Sequence, residues 1–247
     1  MSVYEQLLKI RREKGAGYFV LLDPDKQDVN RAVECAQVCQ DSGVDALLVG
    51  GSLLLTPHFD LVVKKLKEFL KIPVIIFPGG VSQVSAHADA ILFMSIVSGR
   101  NSEHLIGDQV KAAPIVKAMG LEPIATAYLL VESGKTTSAE YMSNTRPIPH
   151  NKPDIAAATA LASEYLGMKL IYLEAGSGAD NPVPDEMVNA VSSYCGLPLI
   201  VGGGIKTPHQ AIQKVKAGAS YIVTGTVVEK ENNYSLLKQF ADAIHTI

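Results

Sequence analysis

The 247-residue chain lacks the residues that would build a cross-linked or metal-clustered fold. It has three cysteines, Cys35, Cys39 and Cys195, and no C-x-x-C pair, so neither a disulfide framework nor a zinc site is indicated. Cys35 and Cys39 stand four apart on one face of an expected helix, as small core residues. The histidines are scattered without metal-ligand spacing and are assigned no chemistry. Excess charge is missing as well. The 22 Lys and Arg against 25 Asp and Glu leave a formal charge of -3, no footprint for nucleic acid or for an anionic membrane surface. No apolar run approaches the ~18 residues of a transmembrane helix. The opening MSVYEQLLKIRREKG has neither the apolar centre nor the cleavage site of a secretory signal. Linkers rich in Pro, Gly and Ser are absent, and composition does not shift along the chain. A soluble, cytoplasmic protein with a small-molecule partner is the expectation.

What is present is apolar sequence, 47% of the chain, cut into short pieces rich in Val, Ile and Leu. They fall at 18–22, 46–50, 73–77, 90–97, 122–131, 169–174, 198–201 and 221–225. Their near-continuous hydrophobicity suits strands covered on both faces, as in a parallel sheet flanked by helices. Segments of helical period lie between most of them, several ending at Gly. Eight such alternations fill one α/β unit, a (β/α)₈ TIM barrel in a single domain spanning 1–247, with a doubly wound sheet as the other arrangement. Internal likeness favours closure: GVDALLVG (43–50) matches GASYIVTG (218–225), and PVIIFPGG (73–80) resembles PLIVGGGI (198–205). The irregular stretch 134–154 follows the fifth strand and reads as a lid loop on the catalytic face or as a solvated surface loop.

The glycines gather at strand ends. Gly202, Gly203 and Gly204 follow the seventh strand and precede a helix started by Thr207 and Pro208, while Gly225 and Thr226 end the eighth. Residues without Cβ let backbone N–H groups approach an anion, a helix N-terminus adds partial positive charge, and loops after strands seven and eight often share a phosphate. In KLIYLEAGSG, alternation puts Tyr172, Glu174 and Gly176 on one face and Ile171, Leu173 and Ala175 on the other. Glu174 and Tyr172 could receive substrate hydroxyls, with Ser177 and Gly178 extending the lining; the alternative is a surface glutamate. Asp23 ends strand one before Pro24, and Ser52 ends strand two. Neighbouring strands are ~4.8 Å apart, so the pair could share a hard cation such as Mg²⁺, which needs only one or two protein oxygens beside water and phosphate. Asp25 is the competing ligand, and a plain turn leading to an N-cap at Asp28 is the other reading.

These motifs, LLDPDK (21–26), DALLVGGS (45–52), YLEAGSGA (172–179), GGGIK (202–206) and Gly225-Thr226, resemble in content and order those of the geranylgeranylglyceryl phosphate synthases and the related heptaprenylglyceryl phosphate synthases. The resemblance implies a Mg²⁺-dependent prenyl transfer: the 3-hydroxyl of sn-glycerol 1-phosphate is alkylated by a polyprenyl diphosphate, most simply geranylgeranyl diphosphate, with release of diphosphate. It implies Asp23 and Ser52 as metal ligands. Glu174 is our own candidate for the catalytic base that takes the hydroxyl proton. By the resemblance, Tyr172, Leu173, Glu174, Ala175, Gly176, Ser177, Gly178, Gly203, Gly204, Gly225 and Thr226 would hold glycerol phosphate. It also implies a homo-oligomer, with at most peripheral membrane contact for product release. Some relatives carry Lys where this chain has Leu21, and others Asn at Thr226. One rival reading is a non-catalytic phosphate-binding or scaffold barrel; the other is a sugar phosphate isomerase, a synthase of amino acid biosynthesis or another phosphate-binding barrel enzyme. Such enzymes need an acid and base pair or a lysine near the substrate carbon, and no second strong candidate faces Glu174.

Overall fold

The computed structural model describes residues 1–225 and 234–246. Eight parallel strands close in sequence order: β1 Gly17–Leu22, β2 Ala46–Val49, β3 Val74–Ile76, β4 Ala90–Ile96, β5 Glu122–Leu130, β6 Leu170–Glu174, β7 Leu199–Gly202 and β8 Tyr221–Thr224. The seam pairs Gly17 with Tyr221 through Val20 with Thr224. Each expected strand lies within a residue of its observed limits.

Strand alternation divides the core into two layers. Phe19, Leu48, Ile75, Leu92, Tyr172, Ile200 and Tyr221 fill the barrel, whereas Val20, Val49, Ile76, Ile171, Leu173 and Val201 pack outward under the helices. Both faces of every strand are therefore apolar, which is why the strands appear in the sequence as unbroken runs.

The outer layer comprises α2 (Val29–Asp41), α3 (Phe59–Phe69), α4 (Asp108–Met119), α6 (Pro153–Tyr165), α7 (Asp185–Tyr194), α8 (Pro208–Lys216) and α9 (Tyr234–Ile244). A π-helical turn at Glu103–Gly107 runs into α4. Cys39 is buried under α2 and Cys35 is half-buried beside it. No helix joins β3 to β4; that connection is irregular.

Two further helices do other work. The first, α1 (Val3–Lys14), begins with a reciprocal cap between Ser2 and Glu5 and buries Val3 and Leu7 in the inner layer. The Glu122 carboxylate, at the N-terminal end of β5, accepts from the N–H groups of Val3 (2.6 Å) and Tyr4 (3.0 Å). This satisfies helix-end donors with a charge of the favoured sign, and it closes the floor of the barrel. The second, α5 (Ser138–Ser143), lies within the 134–154 stretch. That stretch is held at both ends. Thr137 packs on Gly176, Ile148 forms an isolated parallel bridge with Val131, and by Pro153 the chain has already entered α6. Between these anchors only the segment carrying α5 remains, so 134–154 is not one long loop.

Candidate active site

A cavity of about 520 Å³ opens at the C-terminal ends of the strands. Its walls include Asp23 and Lys26 after β1, Gly51 and Ser52 after β2, Tyr172 and Glu174 of β6, Ser177 and Gly178 beyond it, Gly203 and Gly204 after β7, and Gly225 after β8. The arc of strands six, seven, eight, one and two is therefore a single chamber. Thr226 lies outside the described residues.

Among the described residues Glu174 is the only carboxylate on the β6 to β8 side of this lining, and it is 6% exposed. The alternative of a surface glutamate does not hold. Its Oε1 accepts from the Gly176 N–H (2.6 Å), which fixes the carboxylate beneath the following turn. Burial pushes its pKa up to about 7, against the opposing pull of the Gly176 N–H and the Tyr172 hydroxyl. A carboxylate held near neutrality is suited to taking a proton. Tyr172 is wholly buried beside it. Burial and then the Glu174 charge raise the phenol well above its ordinary range, so it stays protonated, and Oη has no well-aligned hydrogen-bond partner among the described residues.

Gly203 explains why the β7 turn needs glycine. Its φ is +81°, and a Cβ there would collide with Glu174 Oε1 and the Gly176 backbone N–H. The turn after β7 is thereby pressed against the β6 carboxylate. The helix α8 that follows starts in a capping box, with Thr207 accepting from Gln210 N–H.

Two residues of the expected binding run point elsewhere. Leu173 and Ala175 turn their side chains into the outer layer under the helices, and the Ala175 N–H is spent on the Gly202 carbonyl at 3.1 Å. The odd positions of β6 turn their side chains away from the cavity. Gly176 contributes through its hold on Glu174 and not through the lining.

On the opposite wall, Asp23 and Ser52 do share the cavity. Asp25 is not among the lining residues and is engaged elsewhere. It accepts from the Leu55 and Thr56 N–H groups and from Thr56 Oγ1 (2.6 Å), tying the β1 loop to the β2 loop. Asp28 caps α2 through the N–H groups of Asn30 and Arg31, so the turn reading is also satisfied, by a different aspartate. Among the described residues no group of three or more His, Cys, Asp or Glu could hold a metal. A carboxylate and a hydroxyl on adjacent strand ends, with room for water and phosphate oxygens, is an oxygen-only donor set that fits Mg²⁺.

Several participants were not legible from sequence. Gln83, 2% exposed, donates from Nε2 to the Gly51 carbonyl (2.8 Å) and accepts from the Gly79 N–H (3.2 Å), bracing the loop that carries Ser52. Phe77 and Tyr128 line the main cavity and also a second, mostly apolar pocket of about 150 Å³. That pocket runs between the β3 and β4 ends, α4 and α5, past Val84, Phe93, Ala112 and Met142. Phe77, Tyr128 and Tyr172 form a cluster with centroids 5.2 to 5.9 Å apart. The inward phase of β5 marked Tyr128 as a barrel residue; nothing local marked it as the junction of two chambers.

Fold and site together define a (β/α)₈ protein with one polar chamber fit for phosphate groups and an apolar annex. The geranylgeranylglyceryl phosphate synthase of Chitinophaga pinensis is 48% identical over 236 residues, 95% of this chain and 93% of its own. That of Thermococcus kodakarensis is 50% identical over 223 residues, 90% of this chain and 87% of its own. Among solved structures, the (S)-3-O-geranylgeranylglyceryl phosphate synthase of Thermoplasma acidophilum, in complex with its substrate sn-glycerol-1-phosphate, superposes with a TM-score of 0.94 at 35% identity over 100% of both chains. The PcrB family model matches residues 8–244, and the chain belongs to the PcrB family.

Proposed function

We propose that this protein is a geranylgeranylglyceryl phosphate synthase, transferring a geranylgeranyl group from its diphosphate to the 3-hydroxyl of sn-glycerol 1-phosphate. The observation that carries the reading is the buried Glu174, poised near neutrality between glycine turns fit for a phosphate and the Asp23–Ser52 wall. Relatives of like name over nearly the full chain support it.

In this reading the turns at Gly203, Gly204 and Gly225 receive the phosphate through backbone N–H groups and the start of α8. Tyr172 and Glu174 orient the glycerol. Asp23 and Ser52 would hold Mg²⁺, which when bound disperses charge on the leaving diphosphate. The prenyl chain runs into the apolar annex, so its reacting carbon lies beside Phe77 and Tyr128. The glycerol oxygen bonds to that carbon, the carbon–diphosphate bond breaks with its electron pair leaving on diphosphate, and Glu174 takes the hydroxyl proton. The α5 segment, with Ala139 lining both chambers, acts as the lid over this junction.

The protein works in the cytoplasm, with at most peripheral membrane contact as product leaves. No helix among the described residues is long and apolar enough to cross a membrane. Exposed Tyr165, Leu166 and Tyr194 support a homo-oligomer, which light scattering would test. Incubation with Mg²⁺, sn-glycerol 1-phosphate and geranylgeranyl diphosphate, followed by mass spectrometry, should yield the ether. No ether with any prenyl diphosphate overturns the reading.

A further inference from the structure

The start of α8 has fewer donors to offer an anion than its place beside the β7 turn suggests. The Lys206 and Thr207 N–H groups both donate to Gln210 Oε1, at 2.7 and 3.2 Å, and the Gln210 N–H donates to Thr207 Oγ1 at 3.2 Å. Pro208 has no N–H. The capping box therefore closes the helix end on itself. The glycine N–H groups of the turn supply dipoles but no net charge, whereas a phosphate monoester carries roughly −1.5 to −2 near neutral pH. The Glu174 carboxylate lies directly against Gly203, so when ionised it adds a like charge.

Lys206 can meet that charge. It follows Gly204 by two residues and lines the same chamber as Gly203, Gly204, Ser177 and Gly178. Its Nζ donates to the Asp180 carbonyl at 3.3 Å, a neutral oxygen just beyond the roughly 2.7–3.2 Å usual for such bonds. The Asp180 carboxylate is turned to a different lysine, Lys135, at 3.0 Å. Lys135 stands outside the chamber lining. Moving the Lys206 ammonium from a carbonyl to a phosphate oxygen replaces a bond with one charged partner by a bond with two. A flexible four-carbon stem permits the exchange.

We infer that Lys206 binds the phosphate of sn-glycerol 1-phosphate, its ammonium passing from the Asp180 carbonyl to the phosphate oxygens at the Gly203–Gly204 turn. The inference rests on the proposed function and adds to it a charged residue that selects a phosphorylated glycerol.

Calorimetry with sn-glycerol 1-phosphate on the full chain tests it, with steady-state turnover in Mg²⁺ and geranylgeranyl diphosphate alongside. Lys206→Met and Lys206→Gln should weaken glycerol phosphate binding about ten- to a hundredfold, the loss expected for one charge-assisted hydrogen bond. KM for glycerol phosphate should rise to match, while kcat and KM for geranylgeranyl diphosphate stay within about threefold. Lys206→Arg should restore most of the affinity. Lys135→Met removes an equal charge from beside the same aspartate, and there binding should stay within about twofold. If both Lys206 variants bind glycerol phosphate within about twofold of the wild type, or Lys135→Met loses as much as they do, Lys206 does not touch the phosphate. The proposed function then stands as long as the wild type makes the ether. If the wild type neither binds glycerol phosphate nor makes the ether, the proposed function fails and this inference with it. Circular dichroism and an unaltered KM for geranylgeranyl diphosphate establish that the variants are folded.

Discussion

Replacing Glu174 by Gln should make the protein inactive and, above neutral pH, more stable. Burial lifts the pKa of Glu174 from an ordinary 4.5 to about 7. Between those values the unfolded chain has released the proton that the folded protein still holds, so stability falls as pH rises through that window. Each pH unit corresponds to about 1.4 kcal/mol, so above pH 7 the ionised carboxylate costs the fold about 3 kcal/mol. Glutamine occupies the same volume, can still accept from the Gly176 N–H, and does not titrate. The stability difference between variant and wild type should therefore be small and flat below pH 4.5, grow from pH 5 to 7, and level off at about 3 kcal/mol by pH 8. In a chain of this length that corresponds to roughly 6–12 °C in Tm. Urea denaturation at a series of pH values reads it directly, and the wild type's kcat/KM should rise through pH 7 as the base ionises. Parallel stability curves for the two proteins would refute both the raised pKa and its assignment to Glu174.

Other expectations can be measured alongside. Asp45, buried at the barrel floor, accepts from Lys14 Nζ (2.5 Å), the Tyr18 N–H (2.8 Å) and His245 Nε2 (2.8 Å). Burial pushes its pKa up, but the His245, Lys14 and Tyr18 donors together hold it below 3.8. Its contribution should be present above that value and lost as pH falls through the depressed one. Asp45→Asn should cost about 2 kcal/mol at pH 7, with the gap narrowing below pH 4; equal denaturation midpoints at pH 7 would argue against it. Gly203→Ala forces a Cβ onto Glu174 Oε1 at a positive φ, and glycerol phosphate affinity by calorimetry should drop at least about tenfold. Ala112→Trp should fill the apolar annex and shift preference towards geranyl diphosphate in a competition assay; an unchanged product ratio would place the prenyl chain elsewhere. Asp23→Asn should abolish Mg²⁺ stimulation of turnover, and a persisting metal response would remove Asp23 from the metal site.

How far the site could be read in advance depended on how local each determinant is. Strands buried on both faces announce themselves as apolar runs, and glycines needed for close backbone approach sit directly at the strand ends, so β6, the β7 turn and the chamber they share were readable. The pairing of Asp23 with Ser52 followed from strand adjacency alone. The floor was not readable, because α1 acts as a plug only through Glu122, more than a hundred residues away. The same holds for Gln83, whose partners Gly51 and Gly79 belong to two loops, and for Asp25, whose carboxylate looks like a ligand until its donors on Leu55 and Thr56 are known. Leu173 and Ala175 lie inside the YLEAGSG motif yet turn their side chains outward, since a motif is contiguous along the chain while a strand's inward face is every second residue.

The seam between β1 and β8 has a consequence for the protein's life before and after catalysis. Asp23, Lys26 and Ser52 are synthesised within the first fifty-two residues and Gly203, Gly204 and Gly225 in the last quarter of the chain, so the chamber does not exist until the final strand docks beside the first. Two ligands that meet across that junction act as a clasp on the one place where the ring of strands joins its ends. Substrate supply should then govern how long the folded ring survives heat or proteases as well as how fast it turns over, because any ligand that binds only the closed form draws the opening equilibrium back.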